Sequence, residues 1–289
     1  MTGLLFLLAL PALVLVVGLA LSFYLTHRSR RGLVHTPQEY DLRAETVTVA
    51  TPDGLRLNAV WVPAGGSRRA VAVLHGRGGS LDNDLHRAPF LHAAGFNVLL
   101  IDFRAHGRSP GRVATFGYLE RRDVQGAVGF LKARGMQAIG LLGFSYGGMA
   151  ALLAAPLCPE VKAVISDSGP ARLRSAVAGQ AVELGLPRWL GSALGTLGVA
   201  LTSVRLGVNL FRYEPVRWVG RIAPRPVFLI HGELDPYLPD FAELVAAAGE
   251  PKQVWSVPGV GHTKVSEACP DEFHRRVLEF FERYLIGAP

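Results

Sequence analysis

Residues 138–148 read AIGLLGFSYGG. A mostly apolar run suited to a buried strand leads directly into Ser145, which has a glycine two positions away on either side, Gly143 and Gly147. The G-x-S-x-G spacing has a mechanical reading. The chain turns sharply from strand into helix, the serine backbone is strained, and a side chain at either glycine would collide with neighbouring main chain. Such a turn lifts the hydroxyl into the open.

Outward from this segment, the chain alternates short apolar runs with helical patterns. AVAVLHG ending at Gly76, NVLLIDF ending at Phe103, VKAVISD ending at Asp167 and RPVFLIHG ending at Gly232 suit buried parallel strands, as does the run before Ser145. Ahead of them, residues 45–50 and 55–62 alternate about the turn Pro52-Asp53-Gly54 and predict an antiparallel hairpin. Residues 118–134 and 270–285 carry amphipathic helical patterns, and residues 253–257 form one more strand-like run. The alternation predicts an α/β fold with a mostly parallel central sheet and helices on both faces. Residues 170–222 interrupt it with a Leu-, Gly- and Ala-rich stretch containing Trp189 and Trp218, read as a helical cap insertion over the carboxyl ends of the strands.

A serine is a weak nucleophile without a base, and the base needs a third group to fix its tautomer. His262 stands in the loop PGVGHTK after the last strand-like run and is the candidate base. Asp235, in HGELDPYLP just past a strand, is the candidate acid, with Asp167 in VISDSG as a competitor and Glu233 a weaker one. The oxyanion formed on attack needs donors already in place. The N–H of Tyr146 supplies one, and the glycine-rich HGRGGS, residues 75–80, supplies the other through Arg77 or Gly78.

Other polar residues have plainer readings. Arg104 and His106 fix the loop DFRAHGRS, and His75 and His231 are near-core histidines. The remaining histidines show no ligand spacing, so no metal site is expected. The sequence lacks G-x-x-x-x-G-K-[ST], which disfavours nucleotides. The formal charge of +7 is spread along the chain without basic runs interleaved with aromatics, so nucleic acid is not an expected partner. Cys158 and Cys269 stand far apart, outside any C-x-x-C pair, and fit a reducing compartment.

HGRGG, DFRAHGRS, GFSYGG, HGELD and GVGH, in this order, resemble the α/β-hydrolase superfamily from residue 40 to residue 286. The resemblance implies the α/β-hydrolase fold, a nucleophile at Ser145, an acid at Asp235 and a base at His262. It also implies an acyl-enzyme resolved by water, with no cofactor. Within the superfamily the chain looks like membrane-anchored serine hydrolases of the prolyl-oligopeptidase-like and dienelactone-hydrolase-like kinds. The latter carry a cysteine where this chain has Ser145. The expected activity is hydrolysis of a carboxylic ester or thioester, from a small-molecule or lipid acyl substrate. A serine peptidase or amidase is the alternative, and a non-catalytic binding protein on the same fold a third reading.

Residues 4–25 carry no charge and, at about 1.5 Å per helical residue, match the thickness of a bilayer core. Phe23 and Tyr24 would sit at the interface, and HRSRR, residues 27–31, supplies a positive flank that stays cytoplasmic. A cleaved signal peptide fits less well, because residues 1–26 hold no Lys or Arg for an n-region and no A-x-A site follows. The expectation is a single-pass transmembrane anchor over residues 1–31 and a cytoplasmic hydrolase domain over residues 32–289.

Overall fold

A computed structural model describes residues 2–29 and 35–285. Eight strands form one sheet: β1 (Glu45–Ala50), β2 (Arg56–Val62), β3 (Arg69–Leu74), β4 (Asn97–Ile101), β5 (Ala138–Phe144), β6 (Val161–Asp167), β7 (Val227–Gly232) and β8 (Lys252–Val257). Their order is β1-β2-β4-β3-β5-β6-β7-β8. β1 pairs antiparallel with β2 and β2 with β4, and every later pairing is parallel. The mostly parallel sheet expected from the alternation of apolar runs is therefore present. β4 and β5 are buried along their whole length, which is why their sequences read as continuous apolar runs.

Helices cover both faces. In chain order they are α1 (Thr2–Thr26), α2 (Ala88–Ala93), α3 (Glu120–Ala133), α4 (Tyr146–Ala154), α5 (Leu173–Glu183), α6 (Arg188–Leu206), α7 (Phe241–Ala247), α8 (Val265–Ala268) and α9 (Pro270–Tyr284). α9 shows the local logic well. Proline opens it, Asp271 and Glu272 sit in its positive first turn, and Phe273, Val277, Phe280 and Phe281 bury one face against the sheet. α3 starts two residues later than its periodicity suggests. The Glu120 carboxylate accepts from the N–H groups of Thr115 and Gly117 and from the Thr115 hydroxyl, so the chain before it is held as a turn. Between β6 and β7 the insertion consists of α5, α6 and three short 3₁₀ turns, Leu210–Tyr213, Pro215–Arg217 and Val219–Ile222. Gly207 ends α6 in the left-handed region at φ 65°.

The transmembrane span expected over residues 4–25 is not carried by the structure. Among the described residues no helix is long and apolar enough to cross a membrane. In α1, side chains are described at residue 9 and from residue 11 onward. The C-terminal half of the helix has a protein partner. A Cβ built on Gly18 would lie 2.5 Å from Leu201 of α6, and Ser22 and Leu25 are buried. Thr202 donates to the Ser22 hydroxyl at 3.0 Å, and Arg205 reaches the same hydroxyl at 3.0 Å and the Ser22 carbonyl at 3.1 Å. One side of α1 is thus a protein interface, which an unbroken apolar run conceals. Arg30 and Arg31 of the basic flank lie outside the described residues, as does the expected boundary at residue 31.

Candidate active site

Strand β5 delivers Ser145 at the carboxyl edge of the sheet, and α4 begins at the next residue. Ser145 has φ 51° and ψ −112°, a conformation that L-residues avoid. Packing on both sides enforces it. A Cβ on Gly143 would lie 2.4 Å from the main-chain carbon of Gly147, and one on Gly147 would lie 2.0 Å from the carbonyl oxygen of Leu74 in β3. Both glycines are required by close main-chain approach. The Ser145 N–H donates to the Asp167 carbonyl at 2.8 Å, which ties the turn to β6.

His262 and Asp235 meet at this turn from the loops after β8 and β7. His262 Nε2 lies 2.8 Å from Ser145 Oγ, and His262 Nδ1 lies 2.6 Å from Asp235 Oδ2. The Asp235 side chain is fully buried, and its other oxygen accepts from the Tyr237 N–H at 2.9 Å. An ionised acceptor at Nδ1 places the ring proton there and leaves Nε2 free to accept from the serine. The Tyr237 ring packs on the imidazole with centroids 4.3 Å apart.

Asp167 does not take the acid's place. Its Oδ1 accepts from the Ser168 hydroxyl at 2.9 Å, and that hydroxyl accepts from the Thr263 N–H at 3.0 Å, so Asp167 braces the loop beside His262. Burial pushes its carboxyl up to about 6. Glu233 is exposed. Tyr146 opens α4, so its N–H is an unpaired helix-start donor of the kind an oxyanion uses. The loop holding Arg77 and Gly78 runs beside Ser145, since a Cβ on Gly76 would be 3.7 Å from Ser145 Cβ. The Arg77 side chain turns away, donating to the carbonyls of Tyr24 and Leu25 in α1 at 2.9 and 3.2 Å.

A cavity of about 760 Å³ opens over Ser145, Tyr146 and His262, within the range of small-molecule sites. Aliphatic side chains from α1 and the cap line one part of it. Asn83, Asp84, His86, Arg87 and Glu267 line another.

Residues 69–203 match the alpha/beta hydrolase fold family. An uncharacterized protein of Mycobacterium tuberculosis is 31% identical over 233 residues, covering 75% of this chain and 71% of that one. The chain belongs to the α/β-hydrolase fold family. YfhR of Escherichia coli is 27% identical over 82% of this chain and 80% of its own. Among solved structures, the Pyrococcus furiosus esterase Pf2001 superposes with a TM-score of 0.76 at 25% identity, covering 91% of this chain and 99% of that one.

Around the site of this α/β hydrolase, the loops are held by buried polar groups. His75 Nδ1 donates to the Gly76 carbonyl at 2.7 Å, and its Nε2 accepts from the Phe103 N–H at 3.0 Å, a single self-consistent tautomer. Arg104 pairs with Asp123 and Asp53, and His106 donates through Nδ1 to the Arg104 carbonyl at 2.9 Å. Burial pushes the His106 imidazole down to about 3. These groups are spoken for: the histidines pair with nearby backbone, and Arg104 pairs with carboxylates of α3 and of the β1–β2 turn.

Sequence reasoning missed the contribution of α1, whose Leu21, Tyr24 and Leu25 line the cavity. It also missed His86 and Arg87, which carry no motif. A signal for α1 was present. Gly18 and Ser22, one helical turn apart, form a small-residue stripe of the kind that packs helix on helix, and Gly191, Gly195 and Gly198 form another on α6.

Proposed function

We propose that this α/β hydrolase cleaves carboxylic esters or thioesters through an acyl-enzyme on Ser145. The observation that carries the proposal is the hydrogen-bonded series from Asp235 through His262 to Ser145, at 2.6 and 2.8 Å, on the floor of the cavity. As Ser145 Oγ attacks the carbonyl carbon, His262 Nε2 takes its proton and Asp235 stabilises the imidazolium. The oxyanion lies toward the N–H groups of Tyr146 and of Arg77 or Gly78. His262 then returns the proton to the leaving alcohol or thiol, and water repeats the sequence on the acyl-enzyme. An apolar acyl part suits the walls from α1 and the cap, and a polar leaving group suits the side bearing Asn83, Asp84, His86 and Glu267. The likeness to an esterase over nearly the whole chain favours esters over amides.

A fluorophosphonate probe should label the purified chain at Ser145 and leave Ser145→Ala unlabelled. p-Nitrophenyl esters should turn over faster than aminoacyl p-nitroanilides. An unlabelled wild-type chain removes the enzyme reading, and faster amide cleavage replaces it with the peptidase one.

The same proposal includes attachment to a membrane through the outer side of α1, where Leu13, Val16 and Phe23 are each about 60% exposed. The basic residues among 27–31 favour the anionic cytoplasmic leaflet, which sets the hydrolase domain on the cytoplasmic side. The full chain should sediment with membranes and resist a high-salt wash, and a reporter fused after the last residue should be active in the cytoplasm. Recovery in the soluble fraction, or a reporter active only outside, rejects attachment or orientation respectively.

A further inference from the structure

One wall of the cavity comes from outside every motif. Leu21, Tyr24 and Leu25 reach it from α1, Val177 and Ala181 from α5, and Leu184 from the C-cap just past α5. Val177, Ala181 and Leu184 recur at i, i+4 and i+7, a stripe about 10.5 Å long at 1.5 Å per residue, and the Leu184 N–H still makes the helical bond to the Gln180 carbonyl at 3.2 Å. α6 joins the two walls. A Cβ on Gly191 would lie 2.7 Å from that of Ala181 in α5, and one on Gly198 would lie 2.8 Å from Leu21 Cδ2 in α1. Glycine thus lets both helices close onto α6, and Leu194 between these positions faces the cavity.

The wall from α1 is tied to the chemistry. Arg77, in the loop beside Ser145, donates to the Tyr24 and Leu25 carbonyls at the C-terminal end of α1, where the helix dipole favours a cation. Ser29, just past the helix, donates from its hydroxyl to the Gly78 carbonyl at 3.1 Å and from its N–H to the Ala105 carbonyl at 2.9 Å. The position of α1 and that of the loop holding Arg77 and Gly78 are therefore coupled.

We propose that α1 is a specificity element of the active site, forming with α5 and α6 a trough for an extended, unbranched aliphatic acyl chain. The proposal rests on the ester-hydrolase reading above. Leu21, Leu25, Val177, Ala181, Leu184 and Leu194 outnumber the polar Gln180 among them, so a peptide would leave most of its main-chain amides unpaired there while a methylene chain needs only contact. Leu184 is 72% exposed, so the stripe ends at the surface and a longer chain runs out along it.

The test compares p-nitrophenyl acetate, octanoate and dodecanoate with the full chain. The wild type should favour octanoate over acetate in kcat/KM. Leu21→Trp, which fills the trough from α1, should lower octanoate relative to acetate about tenfold or more. Leu21→Ala should keep the wild-type order, whereas a merely structural leucine would depress all three esters alike in both variants. Fluorophosphonate labelling of Ser145 reports an intact site in each. Should Leu21→Trp fail to fold, Tyr24→Asp, at a half-exposed position on the same wall, should produce the same selective loss. Labelled variants with an unchanged chain-length ratio overturn the trough and leave the serine-hydrolase reading standing. No labelling of the wild type removes both.

Discussion

Asp235→Asn lowers turnover of a p-nitrophenyl ester about 10⁴-fold while leaving the fold intact, and Asp167→Asn lowers it less than about tenfold. The first magnitude follows other serine triads in which the acid becomes an amide. Asp235 is a fully buried acceptor for His262 Nδ1 at 2.6 Å and for the Tyr237 N–H at 2.9 Å. An amide can keep the Tyr237 bond with its oxygen, but it then turns its NH₂ toward the ring. The imidazole must accept there and carry its proton on Nε2, so it can no longer take one from Ser145. Asp167 has no such role, because its contacts are with Ser168 and the Ser145 main chain, and asparagine can still accept from the Ser168 hydroxyl.

The two substitutions also differ in stability. Burial raises the Asp167 carboxyl from 3.8 to about 6. Its contribution is therefore full below about pH 3.8 and is lost as pH rises through 6, on the order of 3 kcal/mol in all. Asp167→Asn should flatten the dependence of Tm on pH across that window and raise Tm at neutral pH. A tenfold split in the opposite sense, with Asp167→Asn the inactive variant, would exchange the two roles.

Much of the site could be read in the sequence because its elements are local and stereotyped. Ser145 sits in a turn whose glycine spacing is forced by close main-chain contact, Asp235 follows β7, whose apolar run is hard to mistake, and His262 follows the shorter strand-like run of β8. The sheet was legible for the same reason: its buried strands are mostly apolar, and β5, buried throughout, carries no polar residue at all. What escaped was long-range. Residues 4–25 look like lipid-facing helix because lipid and a glycine-rich protein face select the same apolar residues, and the partner helix α6 lies about 180 positions later. Hydropathy registers that a surface avoids water and is silent on what covers it. The bracing of Thr263 by Ser168 and Asp167 is invisible for a similar reason, since it joins loops 95 residues apart through one hydroxyl.

Gly147→Ala should destroy the site more thoroughly than loss of either acid, because it acts on the scaffold. The added Cβ would stand 2.0 Å from the Leu74 carbonyl oxygen, 2.5 Å from the Leu74 carbonyl carbon and 2.9 Å from the His75 carbonyl oxygen. None of these is the free end of a flexible side chain. Two belong to Leu74, the last residue of β3, and the third to the residue after it; β3 is hydrogen-bonded to β4 on one side and β5 on the other, so it cannot yield without breaking a ladder. Relief must come from moving α4 and with it Ser145, which already holds a strained φ of 51°. Overpacking against rigid main chain costs about 1–3 kcal/mol or more, which corresponds to a Tm lower by roughly 6–12 °C at the upper end of that range. Fluorophosphonate labelling should disappear even in the fraction that folds. Gly129→Ala is the matching control: the position is exposed in the middle of α3, and a Cβ there meets nothing within 4 Å. Its helix gains about 1 kcal/mol and labelling is unchanged. If Gly147→Ala labels normally and melts with the wild type, the elbow is not held by β3, and the strain at Ser145 has another source.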